Sequence, residues 1–261
     1  MSEPTIRPQF PVAAEASNHA FRRDGFVVVP GLFDEAEMRR ISAWTDELQA
    51  LPERPGHCMM YFEPSLLDEA TRVLQRIENF CPFHPGFAAL CDGDKLCGFV
   101  SRLFGEPAVL FKDKINFKLP GGDGFKPHQD QQAGWSTYAD LFITAMVSID
   151  DTIAENGCLE LVAGHHTRGL IGDEWKPLSA EDMRRMEARA MPTRVGDVVF
   201  FDSYTPHASG PNMTRERRRV LYITYNRRSA GDHRVRYFAD KRKSFPPDIE
   251  RDPNRTYTFR V

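Results

Sequence analysis

The sequence predicts a mainly β protein with flanking α-helices, in which a jelly-roll barrel forms a single domain. Three observations lead to this fold class. Apolar residues at helical spacing are concentrated before residue 105, short β-branched and aromatic runs follow from Val109 onward, and no linker-like stretch separates the two parts. Helices followed by many short strands are typical of a barrel with helices packed beside it.

The N-terminal part begins with an arm, a strand and a helix. The first 17 residues are rich in Pro and Ala and predict an extended arm ahead of a single domain over 18–261. Phe26–Val29 is a β-branched run that indicates a buried strand. Asp34 is a suitable N-cap for an amphipathic helix over 35–50, which has acidic residues in its first turn.

Beyond residue 50 the pattern predicts more helices and then the barrel. A loop is expected over 52–64, and helices are expected over 65–80 and 93–104, where apolar residues recur every three or four positions. A later helix follows Ser179, a capping residue with an acidic residue three positions on. Strands separated by Gly, Asn and Asp are predicted over 109–118, 125–130, 141–149, 158–162, 191–195, 197–202 and 219–226.

These elements divide the domain into three parts. The N-terminal helices occupy about 34–104, and the jelly-roll core occupies about 109–226. The remaining residues, 227–261, contain ten Lys and Arg against five Asp and Glu, with few apolar residues. This composition predicts a basic C-terminal tail or flap on the surface.

Composition narrows the class of protein. The formal net charge of −3 lacks the basic excess that a broad nucleic-acid surface requires. No apolar run approaches the length of a membrane span, and the first residues do not have the pattern of a signal peptide. Five cysteines without a CxxC pair indicate reduced thiols. We therefore expect a cytoplasmic protein that binds a small molecule, with no nucleic-acid or membrane partner.

Three residues form a candidate metal site. His128 and Asp130 stand two positions apart in a predicted strand, so their side chains share a face. His207 follows the apolar strand over 197–202 and completes a set of two imidazoles and one carboxylate. Such a facial triad suits non-haem Fe(II). Singly, each histidine is equally consistent with a strand-edge or loop residue, and the same set also suits Zn²⁺.

An arginine follows the third candidate ligand. Arg218 lies eleven positions after His207, at the head of a strand-like run. A dicarboxylate that chelates iron through one end needs a partner for the other, and a guanidinium binds a carboxylate through two parallel hydrogen bonds. The alternative is that Arg215, Arg217, Arg218 and Arg219 form a solvated charge run. We predict that Arg218 faces inward.

Together, several segments resemble one known family. They are "DGFVVVPGLFD", "KPHQD", "ENGCLELVAGHH", "GDVVFFDSYTPHASGPNMT" and "RRRVLYITYN". The chain resembles the phytanoyl-CoA hydroxylase (PhyH) family of Fe(II)- and 2-oxoglutarate-dependent dioxygenases from about residue 25 to about residue 226. The resemblance implies a cupin-like double-stranded β-helix, with Fe(II), 2-oxoglutarate and O₂ as cofactors. It also implies hydroxylation of a C–H bond with release of succinate and CO₂.

The resemblance also implies roles for individual residues. It assigns iron to His128, Asp130 and His207, which are then the catalytic residues. It assigns the distal carboxylate of 2-oxoglutarate to Arg218, with Ser209 and Asn116 as further contacts. The halogenating relatives have Gly or Ala in place of the carboxylate ligand, so the presence of Asp130 argues against halogenation.

One strand suggests the charge of the substrate. Lys112 and Lys114 share a face with Asn116, so they are expected to face the same cavity. Unpaired ammonium groups are costly inside a barrel, which favours an anionic ligand. The alternative is the solvated face of an edge strand. The segments "LFKDKINFKLPGG" and "LQRIENF" resemble the branch that hydroxylates 2-aminoethylphosphonate-type compounds next to phosphorus, and Trp135 and Tyr138 are available to contact an ammonium group.

We therefore predict a small anionic or zwitterionic substrate, and specifically an aminoalkylphosphonate. Other possibilities stay open at this stage. They are a hydroxylase of an acyl-CoA or another small metabolite, a zinc hydrolase, and a metal-free jelly-roll binding protein. The sequence leaves the oligomeric state and the roles of His165 and His166 undetermined.

Overall fold

Two antiparallel sheets form the body of the protein in the computed structural model, which describes residues 13–258. In chain order, the strands are β1 (Phe26–Val29), β2 (Met59–Pro64), β3 (Arg72–Glu78), β4 (Ala108–Lys118), β5 (Phe125–His128), β6 (Phe142–Ser148), β7 (Leu159–Leu161), β8 (Arg189–Met191), β9 (Val198–Asp202), β10 (His207–Ser209) and β11 (Arg218–Arg227). The larger sheet has the order β1-β9-β6-β11-β4-β3-β2, and the smaller has the order β5-β10-β7-β8. The predicted jelly-roll fold is confirmed.

Helices pack against both sheets. They are α1 (Ala13–Asp24), α2 (Glu35–Ala50), α3 (Pro85–Asp92), α4 (Phe99–Phe104), α5 (Ala180–Arg185) and α6 (Arg234–Ser244). The first four contribute to the main apolar core on one face of the larger sheet, α5 packs beside the smaller sheet, and α6 belongs to a separate cluster beside β4. The predicted helix over 35–50 is confirmed: Asp34 and Glu37 form a reciprocal capping box at its start. Phe99 of α4 stacks on Phe200 of β9, with ring centroids 4.2 Å apart, and joins the main apolar core.

The central strand β11 shows how the sheet separates a core face from a cavity face. Every residue from Arg218 to Asn226 is buried. Leu221 and Ile223 enter the apolar core beneath the helices. Tyr222 and Thr224 instead line a cavity between the two sheets. Side chains alternate along a strand, so successive residues of β11 face the core and the cavity in turn. Both faces are buried, but only the core face is uniformly apolar.

The region over 52–80 differs from its prediction. The expected loop over 52–64 contains β2, and the expected helix over 65–80 contains β3. The pairing of β3 with β2 shifts register at Gln75, which has no register partner in β2. This bulge brings Leu74 and Ile77 into the same core although they are three positions apart. This bulge imitates helical spacing, and the buried polar residues of β3 hide its strand alternation.

The C-terminal region also differs from its prediction. Residues 227–258 are not a surface tail, because they contain α6, with Tyr237 and Phe238 buried beside β4. Arg234 pairs with the fully buried Asp113. The charged composition conceals a packed helix, since several of its cations have buried carboxylate partners.

Smaller differences concern element boundaries. Of the predicted N-terminal arm, residues 1–12 lie outside the described residues, and 13–17 begin α1. The predicted helix over 93–104 is a π-helical turn, Asp94–Gly98, followed by α4, and it ends at Gly105 in the left-handed conformation, as expected. The strands β5 and β8 are shorter or shifted relative to 125–130 and 191–195, and β10 was not predicted.

Candidate metal centre and substrate cavity

The three predicted metal ligands come together at the edge of the smaller sheet. His128 ends β5 and His207 begins β10, and the two residues are opposite each other in the strand register. The sequence predicts a strand that includes Asp130, but this residue instead begins a 3₁₀ segment. Its carboxylate still lies 3.8 Å from His128 Nε2 and 3.9 Å from His207 Nε2. Among the described residues, this is the group of His, Cys, Asp and Glu with metal-binding geometry, its ligand atoms all within 4.8 Å.

Neighbouring backbone groups orient both imidazoles. His128 Nδ1 lies 2.6 Å from the carbonyl of Lys126, and His207 Nδ1 lies 2.9 Å from the carbonyl of Thr205. With a proton on each Nδ1, these contacts are hydrogen bonds that fix the ring orientation and leave both Nε2 atoms free to bind a metal. Asp130 also accepts a hydrogen bond from the Thr144 hydroxyl at 3.3 Å.

The electrostatics of the triad favour its metal-binding protonation state. Burial lowers the pKa of His128 to about 3 and also lowers that of His207, so both rings are neutral near pH 7. Burial alone would raise the pKa of Asp130, but the two histidines and nearby lysines outweigh it and hold the pKa below its usual value. Two neutral imidazoles and one carboxylate fit Fe(II).

A second set of polar groups lies at one end of the cavity. Arg218 is fully buried, and none of its three guanidinium nitrogens has a hydrogen-bond partner among the described residues. Asn116 has a buried side-chain oxygen that is likewise unsatisfied. Ser209 accepts a hydrogen bond of 2.8 Å from Lys118 Nζ. A buried guanidinium without an acceptor costs several kcal/mol, so this end of the cavity is suited to a carboxylate.

Lys118 adds a cation that the sequence argument did not use. It stands opposite Arg218 in the register of β4 and β11. Burial, together with the charge of the nearby Arg218, lowers the pKa of Lys118 to about 6. The sequence does indicate that Lys118 shares a strand face with Asn116, because it lies two positions farther along the predicted strand.

Arg218 of the arginine run is buried, as predicted, but it is not the only buried member among the described residues. Arg217 is exposed and pairs with Asp46. Arg219 is buried on the opposite face of β11, where Asp150 and Asp46 bind its guanidinium. Among the buried members of this group, Arg218 is therefore the one whose guanidinium nitrogens make no hydrogen bond with a described residue.

The cavity that contains the triad is also lined by Lys112, Lys114 and Trp135. Its empty volume, including its mouth, is about 420 Å³. β4 lies between β11 and β3, so the edge-strand alternative is wrong. Neither ammonium makes a hydrogen bond or ion pair with a residue that the structure describes. Lys114 Nζ lies 4.6 Å from the ring centre of Tyr222. Burial lowers the pKa of Lys114 to about 7, and Lys112 contributes to the shift.

Tyr138 lies farther out than predicted. It lines a second cavity that shares Lys112 and Trp135 with the first. Its hydroxyl donates a hydrogen bond of 2.9 Å to Asp240 of α6. Lys112 and Trp135 therefore separate the two cavities, and Tyr138 lies on the outer side of them, away from the triad.

Sequence reasoning missed a buried charge cluster behind Lys112. Glu78 of β3 is 1% exposed and binds Arg76 and, from α6, Lys241. Tyr237 of α6 lies beside it, with Lys112 Nζ 5.7 Å from its ring centre. The segment "LQRIENF" contains Arg76 and Glu78, but their burial follows only from the position of α6 across the sheet.

The sequence pattern described as Phytanoyl-CoA dioxygenase (PhyH) matches residues 21–220. The chain belongs to this family. The predicted family and enzyme class are confirmed, and the zinc-hydrolase and metal-free alternatives are wrong. As a PhyH-family member with a matching ligand set, the enzyme is a dioxygenase that uses Fe(II), 2-oxoglutarate and O₂.

Two named bacterial enzymes are similar to this chain over most of its length. A protein named 2-aminoethylphosphonate dioxygenase, from the uncultured bacterium HF130_AEPn_1, is 43% identical over 243 residues, covering 91% of each chain. A methylphosphonate hydroxylase from Gimesia maris is 37% identical over 228 residues, covering 86% of this chain and 85% of the other. Both similarities extend over nearly the whole length of this enzyme.

Solved structures share the fold. The non-haem alpha ketoglutarate dependent epimerase SnoN is 25% identical with a TM-score of 0.66, and 84% of each chain is covered. EctD from S. alaskensis, crystallised with 2-oxoglutarate and 5-hydroxyectoine, is 20% identical with a TM-score of 0.72, covering 87% of this chain and 82% of the other. The second comparison supports the fold alone.

Two other sequence predictions have partial outcomes. All five cysteines are free thiols in the structure, which agrees with the expected reduced state. Within residues 13–258, no helix is long and apolar enough to cross a membrane. The cytoplasmic location and the absence of a nucleic-acid partner stay predictions.

Proposed function

We propose that this enzyme hydroxylates 2-aminoethylphosphonate or a closely similar organophosphonate at the carbon next to phosphorus. The observation that carries the proposal is the pair of ammonium groups, Lys112 and Lys114, which face the triad cavity without an internal acceptor. A phosphonate dianion presents three oxygens that bind ammonium groups strongly. The names of the two relatives at 43% and 37% identity support the same chemical class.

In this proposal the inner residues hold the cofactors. His128, Asp130 and His207 bind the iron, and their fixed imidazoles provide its protein ligands. Arg218 binds the distal carboxylate of 2-oxoglutarate, with Asn116 and Ser209 as polar neighbours. With iron bound, O₂ would be the oxidant: one oxygen atom would convert a C–H bond to C–OH, and the other would enter the succinate formed from 2-oxoglutarate with loss of CO₂.

The substrate then lies between the triad and the lysines. Lys114 and Lys112 bind the phosphonate oxygens, which turns the adjacent carbon toward the metal ligands. Trp135 lies on the outer side of that position and offers an aromatic face to the ammonium end. The surrounding sheets exclude water and fix the orientation of the reacting carbon, which is the protein's main contribution to such a reaction.

A substrate comparison tests the proposal. The iron-loaded enzyme is supplied with 2-oxoglutarate and O₂, and succinate and the hydroxylated product are measured. The four substrates are 2-aminoethylphosphonate, methylphosphonate, an acyl-CoA, and 2-aminoethylsulfonate, which has a similar tetrahedral head group but one negative charge fewer. We expect substrate-coupled turnover with 2-aminoethylphosphonate and little with the sulfonate or the acyl-CoA. Coupled turnover of the acyl-CoA alone would contradict the proposed substrate class.

A further inference from the structure

The buried carboxylate of Glu78 lies behind the proposed phosphonate site, and each of its two oxygens accepts a hydrogen bond from a basic side chain. Arg76 Nε donates to one of its oxygens at 2.9 Å, and Lys241 Nζ donates to the other. The side chains of all three residues are at most 12% exposed. Burial would raise the pKa of Glu78, but Lys241, Lys112 and Arg76 together hold it well below its usual value. The carboxylate is therefore charged and compensated by two cations.

Lys112 is the third cation near this carboxylate, and it is the one left without an ion pair. It forms no hydrogen bond or salt bridge within the described part of the chain, and its Nζ lies 5.4 Å from the Trp135 ring centre at the cavity wall. A lysine next to a single buried carboxylate would normally pair with it. Because Arg76 and Lys241 already bring two positive charges to Glu78, their repulsion opposes the approach of a third.

We propose that Lys241 is a positioning residue for the substrate. By neutralising Glu78 together with Arg76, it keeps the Lys112 ammonium at the cavity wall, where it is available to the phosphonate. This inference rests on the proposed function and adds the helix α6 to the substrate site. Lys241 itself contacts the carboxylate and acts on the ligand only through Lys112.

The charge of the whole cluster agrees with this role. Lys112 and Lys114 face the cavity, whereas Arg76 and Lys241 both contact the single carboxylate of Glu78. Basic side chains therefore outnumber carboxylates around this end of the cavity, which favours an anionic ligand. α6 lies beyond residues 21–220, the part of the chain that matches the family pattern, and none of the proposed iron or 2-oxoglutarate ligands lies on it. Lys241 is therefore expected to affect substrate binding and not the binding of iron or 2-oxoglutarate.

Binding measurements without turnover test the inference. The enzyme with Fe(II) and 2-oxoglutarate is titrated anaerobically with 2-aminoethylphosphonate in a calorimeter. We expect Lys241→Met to weaken binding by about tenfold or more, the effect of losing one charged hydrogen bond to the ligand. Lys241→Arg, which can still pair with Glu78, should stay within about threefold of wild type, since threefold is less than one kcal/mol. Lys243→Met, on an exposed part of the same helix, is the matched control and should leave binding unchanged.

The decisive variant is the double change Glu78→Gln with Lys241→Met. Removing the carboxylate leaves Lys112 no internal partner to move to, so affinity for the phosphonate should return to within about threefold of wild type. The Glu78→Gln variant alone should also bind the phosphonate as well as wild type. The affinity for 2-oxoglutarate should not change in any variant. A purely structural role for Lys241 would predict no rescue.

The outcomes separate the inference from the proposed function. Failure of the wild-type enzyme to bind 2-aminoethylphosphonate overturns both. Normal binding by wild type and by Lys241→Met overturns the positioning role alone. A double variant that binds no better than Lys241→Met also overturns it. If Lys241→Met does not fold, a tenfold loss of affinity in Glu78→Gln contradicts the inference, because that change removes the competitor of the ligand.

Discussion

The inner and outer ends of the cavity are built in different ways. At the inner end, His128, Asp130, His207 and Arg218 lie within the family-matched residues 21–220, on or directly beside strands β5, β10 and β11. At the outer end, Lys112 and Glu78 lie on β4 and β3, but their charge balance depends on Lys241 of α6, outside that range. The proposed metal and cosubstrate ligands are thus held by the barrel, whereas the positioning role proposed for Lys241 would make substrate recognition depend also on a separate helix.

The two ends also differ in how their charges are satisfied. The imidazoles of the triad are fixed by backbone carbonyls two positions away in the chain, so their orientation is a local property. The Glu78 cluster joins residues 163 positions apart. Local hydrogen bonds persist whenever the strand forms, whereas a long-range ion pair exists only after the whole domain has folded. Changes at the inner end are therefore expected to affect the reaction itself, and changes at the outer end to affect the choice of substrate.

The largest effect is expected at the triad. Asp130→Ala removes the charged ligand, so turnover should fall by roughly a thousandfold or more. Anaerobic Fe(II) binding and succinate formation measure the change. Asp94→Ala, an exposed carboxylate far from the cavity, is the control and should behave as wild type. Full activity of Asp130→Ala would contradict the assignment of the metal ligands.

The next effect concerns the cosubstrate. Arg218→Ala should raise the KM for 2-oxoglutarate by roughly 30-fold or more, because it leaves a carboxylate without its charged partner. The KM for the phosphonate should change much less. Arg217→Ala is a matched control, since its exposed guanidinium pairs with Asp46. A change below threefold in Arg218→Ala would show that another cation, such as Lys118, binds the cosubstrate.

A smaller effect is expected at the lysine pair. Lys114→Ala should raise the KM for 2-aminoethylphosphonate by about tenfold, the contribution of one charged hydrogen bond. The KM for 2-oxoglutarate should be unchanged, in contrast to Arg218→Ala. Lys243→Ala, on an exposed part of α6, is the control. An unchanged phosphonate KM in Lys114→Ala would remove this lysine from the substrate site.

The smallest effect should mark the boundary of the substrate site. Tyr138→Phe loses the hydrogen bond to Asp240 in the outer cavity, and we expect the phosphonate KM to change less than about threefold, as for most substitutions outside a site. Steady-state kinetics with the phosphonate provide the measurement. A tenfold increase would show that the ligand reaches past Trp135, and the division between the two ends would then lie farther out.

The sequence alone determined the elements whose signals are local. The cap at Asp34 and the periodicity after it identified α2, and β-branched runs identified β1 and β9. The motif around His128 and Asp130, with His207 and Arg218 at characteristic distances along the chain, indicated the family. These features were readable because each depends on spacing within a few residues or on a motif of fixed order.

The tertiary structure decided what depends on distant partners. It placed Asp130 in a 3₁₀ segment, where its carboxylate reaches both imidazoles without a continuing strand. It separated Arg218 from Arg219, because Asp150 and Asp46 bind only the latter. It also converted an apparent basic tail into α6, whose Lys241 neutralises Glu78 across the sheet. A buried charge looks like a surface charge in a sequence, and only the partner brought to it by folding shows the difference.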